Sequence, residues 1–374
     1  MRSLLILLLF PSLIYAQQLP VPSAPAIAAK SYLLTDFYSG QELVKQNVNE
    51  RIEPASLTKL MTAYLTFIAL KQKQITLDQT LPVSVHAWRA EGSRMFIEPN
   101  RPVTVNELMR GMIVQSGNDA CIALAEGIAG SEEVFVQMMN REAQRLGMKN
   151  THFMNSTGLP HPQHYSTAHD LSLLAAAIIR DFPEYFPLYS TKEYKYNNIS
   201  QSNRNRLLWT DPYVDGMKTG YTENAGYCQI STAKRGERRL ISLVLGTSSD
   251  SVRATESQKL LNYGFQFYDT LHLYQKGQAV TSFPVWKGAE NLVKAGFSND
   301  VYLSLPKGQA QRLKATLESQ QPLLAPISVG QNVGMVKLTL DGKPVAEYPV
   351  VALESIGQAN ILGRGWDALR LLFN

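Results

Sequence analysis

Cysteine is nearly absent from this chain. Cys121 and Cys228 are its only two in 374 residues, too few for a disulfide framework. Cys121 falls in a helix-like run and Cys228 in a strand-like one. Those contexts suit buried free thiols, while an oxidising compartment leaves a single bridge open to them. Beyond the first residues there is no uninterrupted apolar run of ~20 residues, which excludes an internal membrane-spanning helix. Charge is also sparse, at 18% of residues against 45% apolar, a globular balance. The net charge is +5, yet no dense Lys/Arg run or stacking-aromatic motif accompanies it, so nucleic acid is not an expected partner.

What is present divides the chain into four parts. "MRSLLILLLFPSLIYAQQ" has Arg2, an apolar run from Leu4 to Phe10 and the small Ala16. It reads as a secretory signal over residues 1–16, with a retained N-terminal anchor as the alternative. A Pro/Ala-rich linker follows. Residues 17–276 then mix helices with an antiparallel sheet. Two strands flank the Ser39-Gly40 turn. Leu57, Leu60, Met61, Tyr64, Leu65 and Ile68 recur at helical spacing. Further helical runs lie near 106–112, 120–128, 132–146, 168–180 and 254–268, and a hairpin turns at Arg235-Gly236. Residues 277–355 shift to short alternating runs with an Asp341-Gly342 hairpin turn, a small sandwich-like β module. In residues 356–374, Ile361, Leu362, Trp366, Ala368, Leu369, Leu372 and Phe373 share one helical arc opposite Arg364, Asp367 and Arg370. That amphipathic helix suits a membrane surface, or packing on its own protein. The fold class is therefore α+β, with an all-β second domain and a tail helix.

The chemistry centres on "PASLTK". Ser-x-x-Lys occurs three times, as Ser56/Lys59, Ser231/Lys234 and Ser304/Lys307. Ser231 sits in a strand pattern, where residues three apart face opposite ways. Pro306 interrupts the third pair. Only Ser56/Lys59 opens an apolar-periodic helix, which puts both side chains on one face. Serine needs a base to become a nucleophile. Lys59 can serve only when neutral, about three units below its reference pKa of ~10.4, or ~4 kcal/mol. Burial and a neighbouring cation produce such shifts. "VDGMKTGYT" offers the cation in Lys218. "QSGND" offers Ser116 as a proton relay and Asn118 as a clamp for a substrate amide. The histidines of "HPQHYSTAHD", His161, His164 and His169, match no zinc spacing. They read as a polar loop shaping the cleft beside Ser56, with Asp170 capping or anchoring the next helix. No metal or cofactor is expected.

Ser56-x-x-Lys59, Ser116-x-Asn118 and Lys218-Thr219-Gly220, in that order, resemble the three signatures of the penicillin-recognising serine enzymes. With "NRNRLLW" and "SVRATESQKLLNYGFQFYDT", the chain is similar over nearly its whole length to the low-molecular-mass penicillin-binding proteins that are D-alanyl-D-alanine carboxypeptidases. The resemblance implies a β-lactamase-like catalytic domain with Ser56 acylated, Lys59 as general base and Ser116 and Asn118 as the second element. It implies Lys218, Thr219 and Gly220 as the substrate strand, and Arg204 and Arg253 near the substrate carboxylate. It implies an oxyanion hole from Ser56 and a second backbone N–H, assigned here to Cys228. The partners implied are the peptidoglycan pentapeptide, covalent β-lactams and the periplasmic face of the inner membrane. Tyr221 stands where relatives often have histidine. An endopeptidase cutting cross-links is the nearest alternative. A β-lactamase is disfavoured by Gly117 inside the second motif and by the lack of glutamate between Glu142 and Glu184. A penicillin-binding sensor without turnover is the third alternative.

Overall fold

The computed structural model describes residues 22–371. The expected signal, at residues 1–16, lies outside them. The catalytic domain is built on a five-stranded antiparallel sheet ordered Glu42–Gln46, Ser31–Asp36, Arg238–Thr247, Gly226–Arg235 and Val214–Thr222. Alternation along its strands sorts side chains to two faces. Leu33, Ile241, Leu243 and Leu245 meet a helical lobe made from Lys59–Lys71, Asn118–Ala129, Glu132–Arg145 and Ala168–Asp181. Leu34, Leu240 and Val244 point the other way, onto Leu260, Leu261 and Phe265 of helix Asp250–Phe267.

The helix that follows Ser56 is buried all round, from Lys59 to Phe67, because it runs through the middle of the lobe. Each of its fully buried leucines contributes ~2 kcal/mol of burial free energy. The expected hairpin is present, but Arg235 pairs with Arg238, so its two-residue turn is Gly236-Glu237. Gly236 takes the left-handed φ of +59° that this tight turn requires.

The second module contains a six-stranded sheet and a two-stranded one packed on a common core. The two-stranded sheet pairs Tyr268–Tyr274 with Val301–Pro306 and sets Leu271 and Leu273 against that core. The β module therefore starts at Tyr268, ahead of the expected 277. Apolar helix-like texture continues to that point only because the helix Asp250–Phe267 runs straight into the strand. The Asp341-Gly342 turn is formed as expected, with both residues at positive φ. The modules are joined by Asp36 to Thr270, Ser39 to Ser304 and the Gln41 side chain to the Ser304 N–H.

The tail forms the helix Ile361–Leu371. Its Asp367 carboxylate accepts from the Lys287 N–H of the β module at 2.6 Å. Ile361, Leu362 and Trp366 are left 78%, 85% and 60% exposed. No helix among the described residues is long and apolar enough to cross a membrane.

Candidate active site

Ser56 lies in a short 3₁₀ turn, Ala55–Thr58, that leads into helix Lys59–Lys71. The first N–H groups of such a turn have no partner inside the helix, so the Ser56 N–H is free to meet a ligand oxygen. Ala55 holds φ +49°, a left-handed conformation costly for a residue with a Cβ. Two glycines make room for it. A Cβ on Gly158 would sit 1.8 Å from the Ala55 carbonyl oxygen, and one on Gly220 3.2 Å from the Ala55 Cβ.

The Lys59 Nζ donates to Ser56 Oγ at 2.9 Å and to the Thr157 carbonyl at 2.5 Å. Burial pushes the Lys59 amine down to about 8, and the positive charge of Arg204 acts in the same direction. Lys218 was the expected neighbouring cation. In the structure burial comes first, and Lys218 is itself lowered well below its usual value by burial, Lys59 and Arg204. Two buried amines in one field cannot both hold a proton cheaply.

The Lys218 Nζ donates to Ser116 Oγ at 2.9 Å and to the Thr219 carbonyl at 3.2 Å. Ser116 ends a π-helical turn, Gly111–Gln115, in the left-handed conformation. The next helix starts at Asn118. The Asn118 Nδ2 donates to the Glu91 carbonyl at 2.6 Å, which fixes which end of the amide carries the acceptor Oδ1.

Ser56, Ser116, Asn118, Thr219, Gly220, Arg204 and Arg253 line one groove of about 1020 Å³. Lys59 and Lys218 lie beneath it. Lys218, Thr219 and Gly220 are on Val214–Thr222, the edge strand of the sheet. Arg253 is buried, donates to the Gly220 carbonyl at 3.2 Å and pairs with Asp250. Arg204 is exposed on the groove wall.

Cys228 is not part of the groove. It lies on Gly226–Arg235, an interior strand flanked on both sides, and its side chain packs in the helical-lobe core. The oxyanion assignment to Cys228 is thus corrected: an interior strand commits its backbone to neighbours, and only the edge strand can offer N–H groups to a ligand. Both cysteines are free and buried, with thiols pushed up to about 12 for Cys121 and about 11 for Cys228.

The histidine loop serves as scaffold. His164 is buried against Thr58 Oγ1 at 2.9 Å, its imidazole pushed down to about 4 by burial, and His169 pairs with Glu42. Thr167 is the cap of the following helix, while Asp170 anchors it to Asn150 and Thr151.

Three supporting residues carried no signal in the motifs. Asn155 Oδ1 accepts from the N–H groups of Thr157, Gly158 and Leu159, which aims the Thr157 carbonyl at Lys59. The "NSTG" run could have shown that turn. Asp119 accepts from the N–H groups of Met95, Phe96 and Ile97 and holds the opposite wall. Asp250 pairs with both Arg253 and Arg206.

A serine poised on a depressed lysine, backed by a second hydroxyl–amine pair and an edge strand, defines a penicillin-recognising serine acyl-transfer enzyme. Comparison with known proteins narrows the class. Residues 19–249 match the family model described as D-alanyl-D-alanine carboxypeptidase, and residues 268–358 that of the penicillin-binding protein 5 C-terminal domain. The chain is 40% identical to the D-alanyl-D-alanine carboxypeptidase DacC of Escherichia coli, over 98% of this chain and 94% of that protein. The structure of penicillin binding protein 5 from Haemophilus influenzae superposes with a TM-score of 0.88 at 40% identity, covering 90% of this chain and 100% of that one. Penicillin-Binding Protein D2 from Listeria monocytogenes, solved in an ampicillin-bound form, is 31% identical with a TM-score of 0.60, over 65% of this chain and 100% of that one. The chain belongs to the D-alanyl-D-alanine carboxypeptidase family.

Proposed function

We propose that this chain is a serine DD-carboxypeptidase that removes the terminal D-alanine from peptidoglycan pentapeptides through an acyl-enzyme on Ser56, and that β-lactams acylate the same serine. The observation that carries this is the 2.9 Å contact between Lys59 Nζ and Ser56 Oγ, with the amine buried and lowered to about 8.

The Thr157 carbonyl takes one N–H of the neutral Lys59 amine, leaving its lone pair for the Ser56 hydroxyl proton. Ser56 Oγ attacks the carbonyl of the penultimate D-alanine. The oxyanion then sits between the Ser56 N–H and a second N–H from the edge strand. Tyr221 is the residue favoured for that second donor. The Thr219 carbonyl meets Lys218 Nζ on the groove side, and two residues along a strand return to the same side, so the Tyr221 N–H shares that direction. As the C–N bond breaks, Ser116, bonded to Lys218, gives its hydroxyl proton to the leaving D-alanine amine and is reprotonated at the expense of the Lys59 ammonium, which returns to the neutral amine. Asn118 Oδ1 holds a substrate N–H. Thr219, Arg253 and Arg204 receive the terminal carboxylate by charge-assisted hydrogen bonds. Water attacks the acyl carbonyl, the neutral Lys59 amine takes its proton and returns it to Ser56 Oγ as the ester bond breaks, and the shortened peptide leaves.

Secretion and attachment to a membrane surface through the tail helix belong to the same reading. The exposed Ile361, Leu362 and Trp366 opposite the Asp367 contact support it. The test is incubation with a muropeptide pentapeptide and mass spectrometry of the products. Ser56→Ala should abolish both D-alanine release and labelling by penicillin. Labelling that survives in that variant would place the nucleophile elsewhere.

A further inference from the structure

We propose that Asp250 is a positioning residue that gathers the arginines receiving the substrate carboxylate; this rests on the carboxypeptidase reading. Asp250 is the first residue of helix Asp250–Phe267, directly after the Ser249 cap. A carboxylate is favoured there by the helix dipole. It has two cationic partners from different parts of the chain. One oxygen pairs with Arg253 Nη2, three residues along the same helix. The other pairs with Arg206 Nε, from the segment that also carries Arg204. Asp250, Arg204, Arg206 and Arg253 all line the groove.

This arrangement fixes Arg253 at two points. Nη2 is held by Asp250 and Nη1 by the Gly220 carbonyl of the edge strand. A guanidinium has five donors in a rigid plane, so two anchors set the direction of the rest. The Nε is buried and has no partner among the described residues. The ring of Tyr227 closes the other side, 5.5 Å from the guanidinium carbon. The Arg206 pair works at longer range. It ties the chain just after Asn205 to the helix start, while the Asn205 side chain is pinned to the Gly216 carbonyl. Arg204 stands immediately before Asn205 and lines the same groove. One carboxylate thus holds two guanidinium groups directly, those of Arg253 and Arg206, and offsets part of their mutual repulsion.

The prediction concerns recognition of one end of the substrate, not the reaction at Ser56. In the full chain, Asp250→Asn should raise KM for a pentapeptide ending in free D-alanine about tenfold, with kcat little changed, as neutralising the half-buried partner of the buried Arg253 does. The same peptide ending in D-alanine amide should lose nothing, so the preference for carboxylate over amide should fall by the same factor. Asp250→Glu should restore most of it. Equal losses on both peptides would reduce Asp250 to a structural role, and an unchanged preference would remove it from recognition; either result overturns the proposal. Failure of the unmodified protein to release D-alanine from the free-acid peptide would instead sink the carboxypeptidase reading itself.

Discussion

Lys59 shows why the site is both visible and hidden at the level of single residues. Its spacing from Ser56 is written in the chain, and helix geometry alone brings the pair together. The group that turns the amine toward Ser56, the Thr157 carbonyl, is a backbone atom almost a hundred positions away and leaves no mark in residue identity. Cys228 was misplaced for a related reason: strand order decides which backbone faces a groove, and side-chain type does not report it. The Lys59 amine also sets a pH profile. Its native pKa is lowered, to about 8, and the reactive form is the deprotonated one. Acylation should therefore climb roughly tenfold per pH unit on the acid side and level off above about 8. Stopped-flow acylation by a chromogenic β-lactam across pH 5–10 checks this, and a flat profile would remove Lys59 as the base.

At the level of elements, the helices and hairpins were largely legible because their apolar periods and turn residues agree. The π turn before Ser116 was not, since a single widened turn has no period of its own. Nor was the contact between the turn at Gly158 and the turn at Ala55. Gly158 combines φ +89° with no space for a Cβ. Gly158→Ala should lower Tm by several degrees and slow penicillin labelling at least a hundredfold by displacing Ser56. Gly40 offers the contrast: φ is +69° but nothing lies within 4 Å. Gly40→Ala should cost only ~1 kcal/mol of backbone strain and leave labelling intact. Thermal melts with labelling time courses separate the two; comparable labelling rates would show that the Gly158 contact does not hold the nucleophile.

On the scale of the whole molecule, the two-module plan could be read from texture, but the seam could not. A continuous helix-to-strand passage at Tyr268 gives no compositional break, so the change becomes visible only several residues later. The tail's angular pattern meets a helix at Ile361–Leu371, with Leu372 and Phe373 of the expected apolar arc outside the described residues; Asp367 contacts the β module and Ile361, Leu362 and Trp366 are exposed. Removing residues 357–374 should release the protein from membranes while D-alanine release in solution continues at its former rate. Flotation on vesicles before and after truncation reads this out, and a truncated protein that still floats would rule out the tail as the anchor.

The meeting of Ala55, Gly158 and Gly220 has an evolutionary side. Three segments far apart in the chain converge where there is room for one methyl group, so none of the three positions can drift toward bulk while the other two stay as they are. Descendants of this enzyme should keep all three small, or exchange them only in concert.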